Sequence, residues 1–443
     1  MRYFSRAIAL LCAPALVVCA VWLLAVDPSF AYQVSTLPNG LTVAVEENHA
    51  VDLVAVDVWV KAGNGCETAN NSGVSHFVEH LIFGATAKRK AGQLDMEMES
   101  VGATLDAHTS LDWAHFHTTV GSRYVAKAVE VLHDAVMHAA FDKDDVERER
   151  LVILDEIAKK QSEPFDLCGE NLARILYTDH PYSRPPEGDP EIIKKLSRND
   201  ILAYHRSRYV PSNMAVVIVG DIASQKAVDL VTQAFGQDAK KDAPPVPYPV
   251  IQPPDQQVTK TYPSPFKWSY VAFGFMGPRG ADSKDVCAMD VLLTYIGIGY
   301  RSWMSTTLME KMKLAEDVRS DYLTHTEPGL VSIMAAAGSK NAVKTKDAIV
   351  EELDNIGKGG ISDAELVTAK KSLLGQYAFE NETFAGRTNA IGFYFAVGDI
   401  GFDGKYVAGV GTVTNADIVR VAQKYLDVGH CAVLILNSTE GGN

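Results

Sequence analysis

The sequence predicts an α+β fold of two homologous domains, each a mixed or antiparallel sheet packed with helices, that face each other across a cleft. Residues 200–219 align without gaps with residues 417–436, and both segments have the pattern of an amphipathic helix, a turn and a buried strand. Residues 143–147 similarly match residues 361–365, where each opens a long helical pattern. Alternating strands occur beside long helices without strict strand–helix alternation, which indicates the α+β class.

The composition is that of an ordinary globular protein. The chain has 443 residues, 47% hydrophobic and 22% charged, which excludes disordered, collagenous and small disulfide-stapled proteins. The net charge of −14 and the lack of a Lys/Arg run argue against a nucleic-acid partner. No C-x-x-C spacing occurs among the cysteines beyond residue 31, so at most one or two disulfides are expected and their pairing stays open: Cys66, Cys168, Cys287 and Cys431.

The first residues have the pattern of an export signal. A basic head at residues 1–6 precedes an uncharged stretch at residues 7–26, and small residues then lead to Ala31. We expect residues 1–31 to be a signal peptide, so that the mature protein is periplasmic or secreted. Because an apolar run of about 20 residues can cross a bilayer, retention as an inner-membrane anchor facing the periplasm is the alternative.

A proline-rich segment divides the rest of the chain. Prolines crowd residues 237–257, which show neither helical nor alternating periodicity, as in a semi-rigid linker. We therefore predict an N-terminal domain at residues 32–236 and a homologous C-terminal domain at residues 258–443.

Residues 72–84 predict a short helix with one polar face. Ser72 is a candidate N-cap and Gly84 a candidate stop signal. The apolar side of the helix has the spacing of a buried stripe: Val74, Phe77, Val78, Leu81 and Ile82. On the other side, His76, Glu79 and His80 fall within about 100° of arc.

This polar face has the residues of a metal-dependent hydrolase. His76 and His80, one turn apart, can chelate one zinc ion through nitrogen. Glu79 can then accept a proton from a water molecule at the metal, as in the inverted H-x-x-E-H motif of zinc peptidases. The chemistry needs a third protein ligand and one open position.

Two carboxylates on a later helix are candidates for that ligand. Glu149 and Glu156 lie about two turns apart on one face, and Val152 and Ile153 lie between them on that face. Burying carboxylates in an apolar stripe is costly unless a cation compensates them. The pattern does not rank Glu156 over Glu149, and a solvated helix with i,i+4 ion pairs is the alternative.

Together these residues resemble the pitrilysin or insulinase superfamily of zinc metallopeptidases, and the length is similar to its short branch, which includes the β subunit of mitochondrial processing peptidase. Further segments match family landmarks: residues 39–43 (NGLTV), 102–109 (GATLDAHT), 180–188 (HPYSRPPEG) and 211–221 (PSNMAVVIVGD). The resemblance implies that His76, His80 and Glu156 bind one zinc ion per chain. It also implies that Glu79 is the general base and that Glu149 supports the site.

The resemblance further implies that an extended peptide pairs with an edge strand at about residues 103–109. The substrate-binding residues would then be Ala103, Asp106 and Ala107. Asp106 stands where the family usually has Asn, which puts that contact in doubt or favours a basic substrate group.

Three histidines lie close to this strand in alternating stretches: His108, His115 and His117. Residues at alternating positions of a strand share one face. We interpret them as strand-face residues and not as a second metal site.

The second half departs from the family pattern. Members acting alone carry an Arg and, farther along, a Tyr that position the scissile carbonyl and stabilise the oxyanion. The corresponding positions here are Met309 and Glu316, while Arg319 and Tyr322 are close but wrongly spaced. The second half also lacks H-x-x-E-H, so the chain resembles the metal-bearing subunit of heterodimeric members, whose partner supplies Arg and Tyr.

We therefore expect a subunit of a zinc-dependent endopeptidase or oligopeptidase that hydrolyses extended peptides with metal-activated water, partnered by a homologous chain. A non-catalytic scaffold or assembly subunit of the same fold is the alternative. The missing Arg/Tyr pair favours the scaffold, whereas the complete ligand set favours the enzyme. A solitary enzyme in which Arg301 or Arg319 has taken over is a third reading. No membrane partner is expected unless the N-terminal segment is retained.

Overall fold

The computed structural model describes residues 32–439. The predicted signal peptide at residues 1–31 therefore lies outside the described residues. Within residues 32–439, no helix combines the length and the apolar character needed to cross a bilayer.

The two halves of the described chain are each built from one sheet and several helices. The first half contains strands β1 (Gln33–Thr36), β2 (Thr42–Glu47), β3 (Leu53–Val60), β4 (Asp106–Thr109), β5 (Ala114–Gly121) and β6 (Met214–Gly220). Its helices are α1 (Val74–Leu81), α2 (Gln93–Glu99), α3 (Val125–His138), α4 (Lys143–Lys160), α5 (Pro164–Tyr177), α6 (Pro190–Ile193), α7 (Arg198–Arg208) and α8 (Ser224–Phe235). The second half contains strands β7 (Val258–Ser264), β8 (Ser269–Met276), β9 (Asp317–Tyr322), β10 (Leu330–Ala337) and β11 (Ala432–Ser438). Its helices are α9 (Ser283–Ile296), α10 (Ala342–Gly359), α11 (Asp363–Glu380), α12 (Phe384–Val397), α13 (Asp403–Thr412) and α14 (Asn415–Tyr425).

The strand order shows the predicted repeat. The first sheet has the order β1-β2-β6-β3-β5-β4, and the second has the order β7-β11-β8-β10-β9. The pairs β2/β6 and β7/β11 are parallel, whereas the remaining pairs are antiparallel. The second sheet thus repeats β2-β6-β3-β5-β4 strand for strand, which confirms the predicted α+β class with mixed sheets.

Each half contributes one helix that covers the sheet of the other half. Helix α5 packs on β8 and β11, and α12 packs on β3 and β6. On α5, Leu172 and Leu176 join a buried cluster with Leu434 of the second sheet. On α12, Gly392 lies so close to Trp59 of β3 that an added Cβ would stand 2.1 Å from the indole nitrogen. The close fit interlocks the halves.

A buried ionic cluster joins the halves at the same interface. Arg387 of α12 donates to Glu46 of β2 at 2.8 Å and to Asp403 at 2.9 Å. It also donates to the Asn381 side chain at 2.9 Å. The side chains of Arg387, Glu46 and Asp403 are only 3%, 6% and 0% exposed, so each charge depends on the others for compensation.

The segment between the two sheets has no regular secondary structure. Helix α8 ends at Phe235 and β7 begins at Val258, with neither helix nor strand between them. This agrees with the proline-rich pattern, but the predicted domain boundaries at residues 236 and 258 stay a prediction, because α5 and α12 cross between the sheets.

The cysteines do not crosslink the described chain. All four are free thiols, and only Cys66 is more than slightly exposed. Burial raises the pKa of Cys168 and of Cys287 to about 12, which keeps both protonated and unreactive at neutral pH. No disulfide among these four cysteines therefore contributes to the stability of the described fold.

Candidate metal centre

Helix α1 carries the predicted polar face. The apolar stripe is confirmed, because all of its members are buried: Val74, Phe77, Val78, Leu81 and Ile82. The predicted caps were wrong. The N-cap is Gly73, with φ of 91°, and not Ser72; the helix ends at Leu81, before Gly84 is reached.

A loop carboxylate replaces the expected serine cap. Glu67 accepts hydrogen bonds from the backbone N–H groups of Gly73 at 2.7 Å and Ser75 at 2.8 Å. Burial raises the pKa of Glu67, whose side chain lies inside the protein at the positive end of the helix. Gly73 is required here, since its φ is left-handed and a Cβ would meet Ile193 at 2.5 Å.

We expect Glu67→Ala to lower the free energy of unfolding by about 1–3 kcal/mol, because the N–H groups of Gly73 and Ser75 lose their acceptor. Urea denaturation with zinc present measures this. Glu99→Ala, at an exposed carboxylate at the end of α2, is the matched control and should change the value by less than about 0.5 kcal/mol. Equal stability of both variants would contradict the capping role.

Three donor atoms converge beside α1. The Nε2 atoms of His76 and His80 lie 3.2 Å apart. Glu156 Oε2 lies 3.3 Å from His80 Nε2 and 3.8 Å from His76 Nε2. Bonds of about 2.0–2.1 Å at tetrahedral angles separate two ligand atoms by about 3.3 Å, so this donor set fits zinc. Burial lowers the pKa of His76 to about 3, which keeps its ring neutral, as a metal ligand must be.

Glu149 lies behind His80 instead of among the donors. Its Oε2 is 3.3 Å from His80 Nδ1, and its other oxygen accepts from Arg148 at 3.1 Å. A carboxylate at Nδ1 holds the proton there and leaves the Nε2 lone pair for a metal. The geometry thus separates Glu149 from Glu156, which the sequence pattern did not. The apolar stripe of α4 is narrower than predicted, because Val152 is 40% exposed.

Glu79 lies on α1 between the two histidines, partly buried. Burial is the main influence on its carboxyl and raises the pKa of Glu79, while Thr109 and His80 act in the opposite direction. Thr109 belongs to β4, which packs beside α1. A carboxyl group of raised pKa next to converging ligands has the character of a general base.

Strand β4 is the outer strand of its sheet and pairs only with β5 among the described strands. It begins at Asp106 and not at residue 103 as predicted, because Gly102 has φ of 80° and the N–H of Ala103 donates to Met98 in the turn after α2. Ala103 is buried, whereas Asp106 is exposed and Ala107 half-buried. The open edge of β4 adjoins the candidate metal centre.

In the second half, the positions aligned with the family Arg and Tyr offer no such groups. Met309 lies in a π-helical segment, Met304–Lys311, and packs against the core, and Glu316 is exposed just before β9. Tyr322 on β9 donates its hydroxyl proton to the Pro278 carbonyl at 2.7 Å. Tyr322 is therefore engaged within the second half.

A cavity of about 260 Å³ lies where β4 ends. Ser110 and Leu111, directly after β4, form one wall, and Lys160 of α4 another. Arg319 of β9 also lines it and pairs with Asp166 of α5 at 3.4 Å. Residues of both halves line the cavity, for example Tyr182 of the first half and His325 of the second.

The three histidines near β4 lie on strand faces, as predicted. His108 pairs in register with His115, and His117 follows two residues later on β5. Unexpectedly, one ring nitrogen from each lies within 4.8 Å of the others. Burial lowers the pKa of His108 and of His117, which favours their neutral forms. Another group of close donors among the described residues comprises His133, His138 and Asp238.

Comparisons with known proteins agree with this architecture. The family description "Insulinase (Peptidase family M16)" matches residues 42–189, and "Peptidase M16 inactive domain" matches residues 195–373. An uncharacterized zinc protease of Mycobacterium tuberculosis is 30% identical over 367 residues, covering 81% of this chain and 82% of the relative. Zinc protease PqqE of Helicobacter pylori is 28% identical over 397 residues, covering 88% and 89%.

Solved structures share the fold. The crystal structure of a protease from Helicobacter pylori superimposes with a TM-score of 0.84 at 24% identity, covering 92% of this chain and 99% of that one. The periplasmic protease PqqL from Escherichia coli gives a TM-score of 0.74 at 17% identity, covering 91% and 47%. The fold is shared with solved proteases, and the relatives of similar sequence are named zinc proteases. The chain therefore falls in the class of zinc protease homologues. Within it, this chain belongs to the M16 (insulinase) peptidase family.

Proposed function

We propose that this chain is a zinc-dependent endopeptidase or oligopeptidase subunit that cleaves extended peptides. The observation that carries the proposal is the convergence of His76, His80 and Glu156 within zinc-ligand spacing beside an open strand edge. These residues would hold one zinc ion at this site. Zinc bound there would polarise the scissile carbonyl and lower the pKa of water.

The neighbouring residues then have separate tasks. Glu79 takes a proton from the attacking water and delivers it to the leaving amine, for which its raised pKa suits it. Glu149 positions the His80 ring through Nδ1. In this proposal Glu79 transfers the proton, and Glu149 orients the ligand His80.

We propose that the substrate adds a strand to β4, since the backbone groups on its outer edge are open. Asp106 is exposed there and would attract a basic substrate side chain, and Ala107 leaves room for the peptide. Ala103 would contribute through its backbone at the start of the path, because its side chain is buried. The cavity beyond Leu111 would accept the following residues.

Removing zinc should abolish peptide hydrolysis. We expect a chelator to remove the ion bound by His76, His80 and Glu156 together with the activity, and added zinc to restore both. Metal analysis and cleavage of an unstructured peptide measure the two. His80→Ala should contain one zinc equivalent less than the unmodified chain. If the two bind equal zinc, or if activity survives complete chelation, the proposal is wrong.

The scaffold reading rests on the second half, where Met309 and Glu316 replace the expected Arg and Tyr. We propose that a homologous chain supplies these groups in a heterodimer. Adding an M16 chain that has Arg and Tyr but lacks H-x-x-E-H should then raise kcat by at least about 10²-fold. Full activity of the isolated chain would refute the need for a partner, and zinc binding without activity in either case would favour the scaffold.

We also propose export with cleavage after Ala31, because residues 1–26 combine a basic head with an apolar run. Fractionation of cells and N-terminal sequencing test this. A mature chain in the periplasmic or secreted fraction supports cleavage, whereas recovery of the intact N-terminus in the inner membrane would establish the anchor instead.

A further inference from the structure

We propose that His108, His115 and His117 form a second metal site, distinct from that of His76, His80 and Glu156, which takes a divalent ion of the zinc type. Three imidazole nitrogens are a donor set that zinc accepts. The ion would tie the outer strand β4 to β5.

The register of the sheet brings the three rings together. His108 of β4 stands directly opposite His115 of β5, and His117 follows on the same face of β5. Asp106, opposite His117, projects from this face too and adds negative charge that favours a cation. One nitrogen from each histidine lies within 4.8 Å of the other two.

Two neighbours fix the orientation of the His115 ring. Its Nδ1 lies 3.1 Å from both carboxylate oxygens of Asp57 on β3, and the two side chains are 5% and 1% exposed. The Trp59 ring stacks on the imidazole with centroids 4.3 Å apart. A carboxylate that holds Nδ1–H directs Nε2 to a metal, and such partners are typical of metal-binding histidines.

The other two rings have room to close on an ion. His108 is exposed and His117 half-buried, and among residues 32–439 neither side chain makes a hydrogen bond. Their centroids lie 5.2 to 6.0 Å from the neighbouring rings, at interplanar angles of 16° to 31°. Side-chain rotation can therefore shorten the nitrogen separations to the ~3.3 Å that tetrahedral zinc requires.

The two sites lie on opposite faces of the sheet. Phe77 and Val78 of α1 pack in one cluster with Phe116 and Ala107, whose side chains alternate with those of the histidines. The histidine face instead continues from Trp59, which packs in the cluster of the second half. An ion there would fix β4, a strand of only four residues, in register with β5.

The test uses the full mature chain with His76→Ala and His80→Ala, which removes the first site. We expect this background to bind one equivalent of Zn²⁺ in a titration against a competing chelator. Adding His117→Ala should weaken binding at least about 10-fold, and adding Asp57→Asn should weaken it about 10–100-fold. His430→Ala, at an exposed histidine, is the control and should change nothing.

Circular dichroism and thermal melting must show that each variant is folded. If Asp57→Asn does not fold, His108→Ala replaces it, because His108 is an exposed member of the proposed site. The proposal is overturned if the background binds no zinc at micromolar concentration. It is equally overturned if zinc survives both His108→Ala and His117→Ala, or if only His138→Ala removes it, which would assign the ion to the group around His133.

Discussion

Glu79→Gln should lower kcat/KM for peptide hydrolysis by about 10²–10⁴-fold while zinc content stays unchanged. The amide has nearly the same shape but cannot accept the proton from water, and the proposed metal donors are His76, His80 and Glu156, not Glu79. Kinetics on a fluorogenic peptide, with metal analysis of the same sample, measure both quantities.

Glu351→Gln is the matched control for this substitution, because that carboxylate is exposed on α10, away from the centre. Its activity should equal that of the unmodified chain. If Glu79→Gln retained full turnover after contaminating peptidase had been excluded, Glu79 would not be the base. If it lost zinc as well, the loss of activity would say nothing about proton transfer, and Glu79 would have to be counted among the groups that hold the metal.

Arg387→Ala should lower the free energy of unfolding by about 3–5 kcal/mol, because Glu46 and Asp403 would remain as buried carboxylates without their cation. The loss should also separate the halves, since Arg387 lies on α12 and Glu46 on the first sheet. Urea denaturation monitored by tryptophan fluorescence is the measurement, and Trp59 reports directly on this interface.

Lys405→Ala is the control for the loss of a positive charge. Its side chain is 73% exposed and its Nζ lies 3.8 Å from Asp399, so its removal should change stability by less than about 1 kcal/mol. A loss of similar size in both variants would mean that net charge, and not the buried cluster, determines the effect. The double substitution Arg387→Met with Glu46→Leu should be more stable than Arg387→Ala, because it removes one buried charge of each sign.

Features carried by local spacing could be predicted from the sequence. The face of His76, Glu79 and His80 follows from helical periodicity alone, and the repeat of the two sheets follows from matching helix–strand segments. Helix spacing alone did not rank Glu156 over Glu149, and only the family resemblance implied Glu156 as the third ligand. The packing of α4 against α1 is the physical difference, since it brings Glu156 to Nε2 of His80 and Glu149 to Nδ1.

Other features depend on contacts that spacing does not encode. Glu67 reaches the first turn of α1 from a preceding loop, so no capping pattern reveals it. Alternation correctly placed His108 and His115 on strand faces, but their convergence depends on the register between β4 and β5. Nothing local indicates that Tyr322 turns to the Pro278 carbonyl. The register between strands and the position of a loop depend on long-range contacts, so a local sequence pattern cannot predict them.

The crossing of α5 and α12 limits how this protein can be divided. After proteolytic cleavage within residues 237–257, the two fragments would stay associated, because each keeps the helix that covers the apolar sheet of the other. Produced separately, each fragment would instead expose one apolar face of its sheet to solvent and aggregate. Biosynthesis is affected as well, since the face of the first sheet that α12 covers stays exposed until the ribosome has released α12, near the end of the chain.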